Sequence, residues 1–92
     1  MTLQEILTAS AGLDEYDVVY AEKPWTRTSD ARVVRYQPDE SVVRNISGTT
    51  LEYFLEAPLI QDIRQQLESG GVELSDVLRI LMYYAEYDAF PE

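Results

Sequence analysis

The sequence predicts an α+β domain: a small antiparallel sheet of three to four strands with three helices packed on it, in the order α-β-β-(β)-β-α-α. Three observations carry this expectation. Apolar residues recur at helical spacing in one stretch near the N-terminus and in two towards the C-terminus. Between them lie short β-branched and aromatic runs bounded by turn residues. The connections are short, which favours hairpins over parallel crossovers. With 92 residues and 46% hydrophobic content, the chain suits one domain over residues 1–92 with a single modest core.

The first helix is expected over residues 2–11. Thr2 and Glu5 have the spacing of a capping box, and Leu3, Ile6, Leu7 and Ala11 form an apolar stripe. Gly12 is placed to end the helix in the left-handed conformation. Residues 17–22 (DVVYAE) and 31–36 (ARVVRY) read as strands, separated by the loop KPWTRTSD. In the second strand two valines sit between arginines, so one face can be apolar and the other charged. Pro38-Asp39 signals a turn, residues 42–46 form a short edge strand, and Ser47-Gly48 marks another turn. In residues 51–57 (LEYFLEA), strict alternation puts Leu51, Tyr53 and Leu55 on one face and Glu52, Phe54 and Glu56 on the other. Phe54 is the anomaly on that acidic face: either a pad under basic stems or part of a contact surface. Pro58 suits a helix start, Leu59, Ile60, Ile63 and Leu67 form its stripe, and Gly70-Gly71 ends it.

The last helix, beginning at residues 73–75 and fraying by residues 88–91, has two apolar stripes. Leu74, Val77, Leu78, Leu81 and Ala85 make the expected core stripe. Ile80, Tyr83 and Tyr87 fall on roughly the opposite face, with Asp76 at its start and Glu86 on its flank. One face suffices to dock a helix on its own core. The second must pack on a neighbouring helix, a second copy or a partner. Tyrosine suits contact surfaces because it joins a large apolar ring to a polar tip. Trp25 lies in the only loop that combines Lys23, Pro24 and Arg27. It is expected either to plug one end of the core or to anchor a partner, with the plug favoured because such rings are usually well buried.

Composition narrows the chemistry. The chain has neither cysteine nor histidine, so disulfides, thiol nucleophiles, Ser–His and Cys–His systems and ordinary zinc sites are excluded. No glycine-rich phosphate loop and no calcium-loop spacing is present. Glu52 and Glu56, four apart on a strand, would stand about 13 Å apart, too far for a retaining carboxylate pair. No catalytic residue, metal or cofactor is therefore expected. Net charge is −10, and five of the seven bases fall within residues 23–44. Such a chain repels phosphate backbones, so nucleic-acid binding is not expected, whereas a basic protein would be attracted. No apolar run approaches a membrane span, and MTLQEIL does not have the pattern of a secretory signal. The absence of cysteine fits a reducing cytoplasm.

Three segments, VVYAEKPWTRTSDARVV, LEYFLEA and LMYYAEYDAF, resemble an uncharacterised family of small acidic bacterial proteins. The shared features are a YAE-basic-PW loop, a YFLE strand and a YAE-x-Da helix end, together covering about half of the chain. The resemblance implies no activity and no site residues. Toxin-immunity proteins are similar in size and charge but not in motif.

The leading expectation is a non-catalytic acidic protein-binding module, an immunity-like inhibitor of a basic toxin or nuclease. Its partner-binding residues would be Asp76, Ile80, Tyr83, Glu86, Tyr87 and Trp25. The second is a homo-oligomeric structural or regulatory domain that pairs through the same helix as a homodimer. The least favoured is a carboxylate-only metal-dependent enzyme.

Overall fold

The computed structural model describes residues 1–35, 43–46 and 48–90. Four antiparallel strands, β1 (Asp17–Ala21), β2 (Ala31–Arg35), β3 (Val43–Ile46) and β4 (Thr49–Glu56), form one sheet in the order β2-β1-β4-β3. Helices α1 (Leu3–Thr8), α2 (Ala57–Ser69) and α3 (Leu74–Tyr87) complete an α+β fold. The expected element order holds, and β3 lies at an edge. The Pro38-Asp39 turn falls outside the described residues, as do Tyr36, Val42 and Ser47.

Local chemistry explains the helix ends. The Thr2 hydroxyl accepts from the Glu5 N–H, and the Glu5 carboxylate accepts from the Thr2 N–H at 2.9 Å. These backbone and hydroxyl donors hold the Glu5 carboxyl below its ordinary pKa. The next two free N–H groups, of Leu3 and Gln4, donate to Ser29 and Arg27 carbonyls at 2.9 Å each. The 22–30 loop therefore clamps the start of α1. That helix is shorter than expected. It ends at Thr8, and Ser10–Gly12 form a 3-10 turn in which the buried Ser10 hydroxyl donates to Leu7 O. Ala11 is consequently exposed, and Gly12 is not left-handed.

The link between α2 and α3 is a Schellman motif. Val72 N–H donates to Leu67 O and Gly71 N–H to Glu68 O, with Gly71 at φ +87°. A side chain at Gly71 meets no atom within 4 Å, so its penalty is backbone strain alone. Gly71→Ala should lower the urea-unfolding free energy by about 1 kcal/mol. Gly12→Ala, equally open but without positive φ, should raise it by roughly 0.5 kcal/mol. Shifts in the same direction would contradict this account.

The main core lies between the sheet and the helices. It joins Leu3, Ile6 and Leu7 of α1 to Val19, Ala21 and Ala31 of the sheet, Ile60 and Ile63 of α2, and Val77, Leu78 and Leu81 of α3. Leu59 and Leu67 only flank it, Ala85 is half-buried, and Leu74, at the first turn of α3, is 37% exposed. Val18, Tyr20 and Leu51 form a smaller buried cluster with Val34 on the other side of the sheet. Val33 packs against the helix side, so each face of β2 carries one valine, rather than one apolar and one charged face.

Strand β4 departs most from its sequence pattern. Val19 pairs with Leu55 but Tyr20 pairs with Tyr53, so Phe54 is the extra residue of a β-bulge. The bulge turns both Phe54 and Leu55 into the helix-side core. It also separates Glu52 from Glu56: the first pairs with Ala21 of the main core, the second with Val18 of the opposite cluster. The two carboxylates thus belong to opposite faces, not to one. The strict alternation expected for β4 fails because one residue is inserted into its pairing.

Candidate functional site

Phe54 also determines where Trp25 goes. The Trp25 ring meets Phe54 edge-on at 5.0 Å between centroids, and its indole N–H donates to Ala21 O at 3.1 Å. The Lys23–Pro24 bond before it is cis. The Lys23 ammonium stands 4.6 Å from the indole ring. Trp25 is therefore half-buried: it closes one end of the core while part of it remains at the surface.

That surface forms one wall of a groove of about 640 Å³ whose other wall is the outward face of α3. Trp25 and Arg27 stand on the loop side, and Arg79, Met82, Tyr83, Glu86 and Tyr87 on the helix side. The walls are tied together by Arg27, whose guanidinium donates to Ser75 O at 2.7 Å. The Tyr83 and Tyr87 rings pack at 4.6 Å, tilted by 46°. They remain 39% and 63% exposed, so α2 does not cover them. Tyr84, one position on, turns to the edge of the core and meets Phe90 at 5.1 Å.

Four of the six residues singled out in the sequence thus meet in one place: Trp25, Tyr83, Glu86 and Tyr87. Asp76 and Ile80 do not line the groove. Asp76 is an exposed neighbour of Arg79, 3.6 Å away, and Ile80 is half-buried beside the wall. Sequence reasoning did not find Arg27, Arg79 and Met82. Arg79 and Met82 share the helical face of Tyr83 and Glu86, and Arg27 lies two residues from Trp25, but only the fold brings the loop and the helix together.

A second cleft, of about 970 Å³, lies between the 11–15 segment and α2, with Leu13, Asp14, Glu15 and Glu68 among its lining. Its only cation is structurally engaged. Arg64 donates to Leu7 O at 3.0 Å, Thr8 O at 2.7 Å and the Ser10 hydroxyl at 3.1 Å, and it pairs with Glu68. Gln61 donates to Ser10 O and Leu13 O at 3.0 and 2.9 Å. These side chains satisfy the open carbonyls at the end of α1.

No protein-family model, curated protein or solved structure matches this chain. Its function has to be read from the groove itself. Among the described residues, no group of three or more carboxylates is arranged to hold a metal ion, and no helix is long and apolar enough to cross a membrane. A tryptophan held by the buried Phe54, two tyrosines packed on each other, two guanidinium groups and one carboxylate can anchor a protein surface.

Proposed function

We propose that this chain is a non-catalytic protein-binding module of the cytoplasm, an immunity-like inhibitor that neutralises a basic toxin or nuclease. One observation carries the proposal: Trp25, Tyr83 and Tyr87 converge on a single groove beside Arg27 and Arg79. Tryptophan, tyrosine and arginine are the residue types that dominate binding hot spots, especially where their rings are held before the partner arrives. Trp25 is held by Phe54 and the Ala21 carbonyl, and Tyr83 by Tyr87.

Net charge has a different part. At −10 the protein draws a basic partner towards it, which raises the encounter rate more than the lifetime of the complex. The groove itself carries the guanidinium groups of Arg27 and Arg79 and the carboxylate of Glu86. Recognition then rests on the aromatic anchors, and steering on carboxylates elsewhere, such as Asp14, Glu15 and Glu68.

The test is affinity purification from the native host, followed by titration of the recovered partner. The double variant Tyr83→Ala, Tyr87→Ala should weaken binding by about 100-fold, in line with the loss of two anchors. Both rings are exposed, so the fold should survive. Unchanged recovery of every partner would remove the groove from consideration.

A further inference from the structure

We propose that the outward face of α3 pairs with the same face of a second copy of this chain, antiparallel about a two-fold axis beside Tyr83. This inference does not rest on the inhibitor reading, and it names a different occupant for part of the same surface.

A two-fold interface is isologous: each group on one side of the axis must suit the group equally far away on the other side. The α3 face meets that condition. Arg79 and Glu86 are two helical turns apart, about 10 Å, so they project from one face with Met82 and Tyr83 midway between them. Antiparallel pairing about that midpoint lays Arg79 of each copy against Glu86 of the other. It also places the half-buried Met82 and the exposed Tyr83 at the centre.

The charges around the pair are divided in the same sense. Arg27 reaches the first turn of α3 through Ser75 O, so the N-terminal half carries two guanidinium groups that balance Asp76 and the N-cap Glu73. The C-terminal half carries Glu86 and Asp88 and no base. The helix dipole adds partial positive charge at the first end and negative at the second, so antiparallel packing is favourable at both. Arg79 is held only loosely by Asp76, at 3.6 Å with its side chain 58% exposed, and is free to reach across. An unrelated basic partner would require no such symmetry.

The interface is small. A helix of 14 residues is about 21 Å long, and one face of it buries less than a standard stable interface. Two copies of net charge −10 also repel. Association should therefore be weak and fall near a dissociation constant of about 100 μM.

Sedimentation equilibrium of the full chain up to about 500 μM, well past that constant, tests this. The wild type should show a monomer–dimer equilibrium. Arg79→Glu and Glu86→Arg should each weaken it by about 10-fold, and the double variant should regain most of the loss, as expected for a contacting charge pair. Glu86→Arg is the most telling, because it makes each copy less negative and would strengthen association if net repulsion alone mattered. Circular dichroism checks that each variant remains folded. A wild type that is strictly monomeric, or a double variant no better than the singles, overturns the proposal. Neither result bears on the Tyr83/Tyr87 partner titration, so the two readings fail independently.

Discussion

Phe54→Ala should destabilise this protein by about 3–5 kcal/mol, the range for truncating a fully buried phenylalanine. A domain of 92 residues has roughly 5–14 kcal/mol in total, so the variant should be close to unfolding at room temperature. Two losses combine. Phe54 is 1% exposed in the main core, and its removal leaves a cavity between β4 and the helices. Trp25 loses the ring on which it rests edge-on, so the wall of the groove should loosen along with the core. Urea unfolding followed by Trp25 fluorescence reads both effects. Tyr53→Ala, one position away but 38% exposed, is the control and should have less than half the effect. A larger effect at Tyr53 than at Phe54 would mean that β4 has no bulge and alternates as its sequence suggests.

Arg64→Met should be the second most damaging change, at about 2–3 kcal/mol, the range for losing hydrogen bonds made by a charged donor. The methionine keeps most of the apolar stem, so the loss reports the guanidinium rather than packing. Leu7 O, Thr8 O and the Ser10 hydroxyl would each lose a donor where α1 ends, and this region should exchange its amide hydrogens faster. Arg64→Lys should recover only part of the loss, because its shorter stem ends before the position of the guanidinium nitrogen that serves all three acceptors, and it cannot also hold Glu68 through a second nitrogen. Glu68→Gln removes the i,i+4 ion pair on a side chain that is 41% exposed, and should cost less than about 1 kcal/mol. If Glu68→Gln proved as harmful as Arg64→Met, the ion pair and not the carbonyl cap would be the stabilising element.

The two variants mark the limits of what could be read from residue order. The capping box of Thr2 and Glu5, the Gly70-Gly71 stop and the Val77–Leu78–Leu81 stripe were all legible, because each is made by groups within a few positions of one another. The second stripe of α3 followed from the same helical spacing, but whether α2 covers Tyr83 and Tyr87 did not. The bulge at Phe54 was not legible. Alternation assigns faces only while pairing is regular, and the shift depends on how β4 meets β1, more than 30 positions away. Gly12 misled for a related reason. A glycine after an apolar stripe resembles a helix stop, but the chain had already left the α-helix at Thr8, and Ser10, Gln61 and Arg64 supply the termination instead.

Residue order by itself determined the α+β class, the element order, the absence of thiol and imidazole chemistry, and the aromatic face of α3. These depend on composition and on periods of two to four residues. Tertiary structure alone decided that Trp25 should share a groove with Tyr83 and Tyr87, that Arg27 should tie its walls together across 48 positions, and that Glu52 and Glu56 should part to opposite faces. Contacts of that kind depend on which strands pair, in what register, and where the chain inserts an extra residue. No local pattern encodes such choices. They are settled when the whole core is packed.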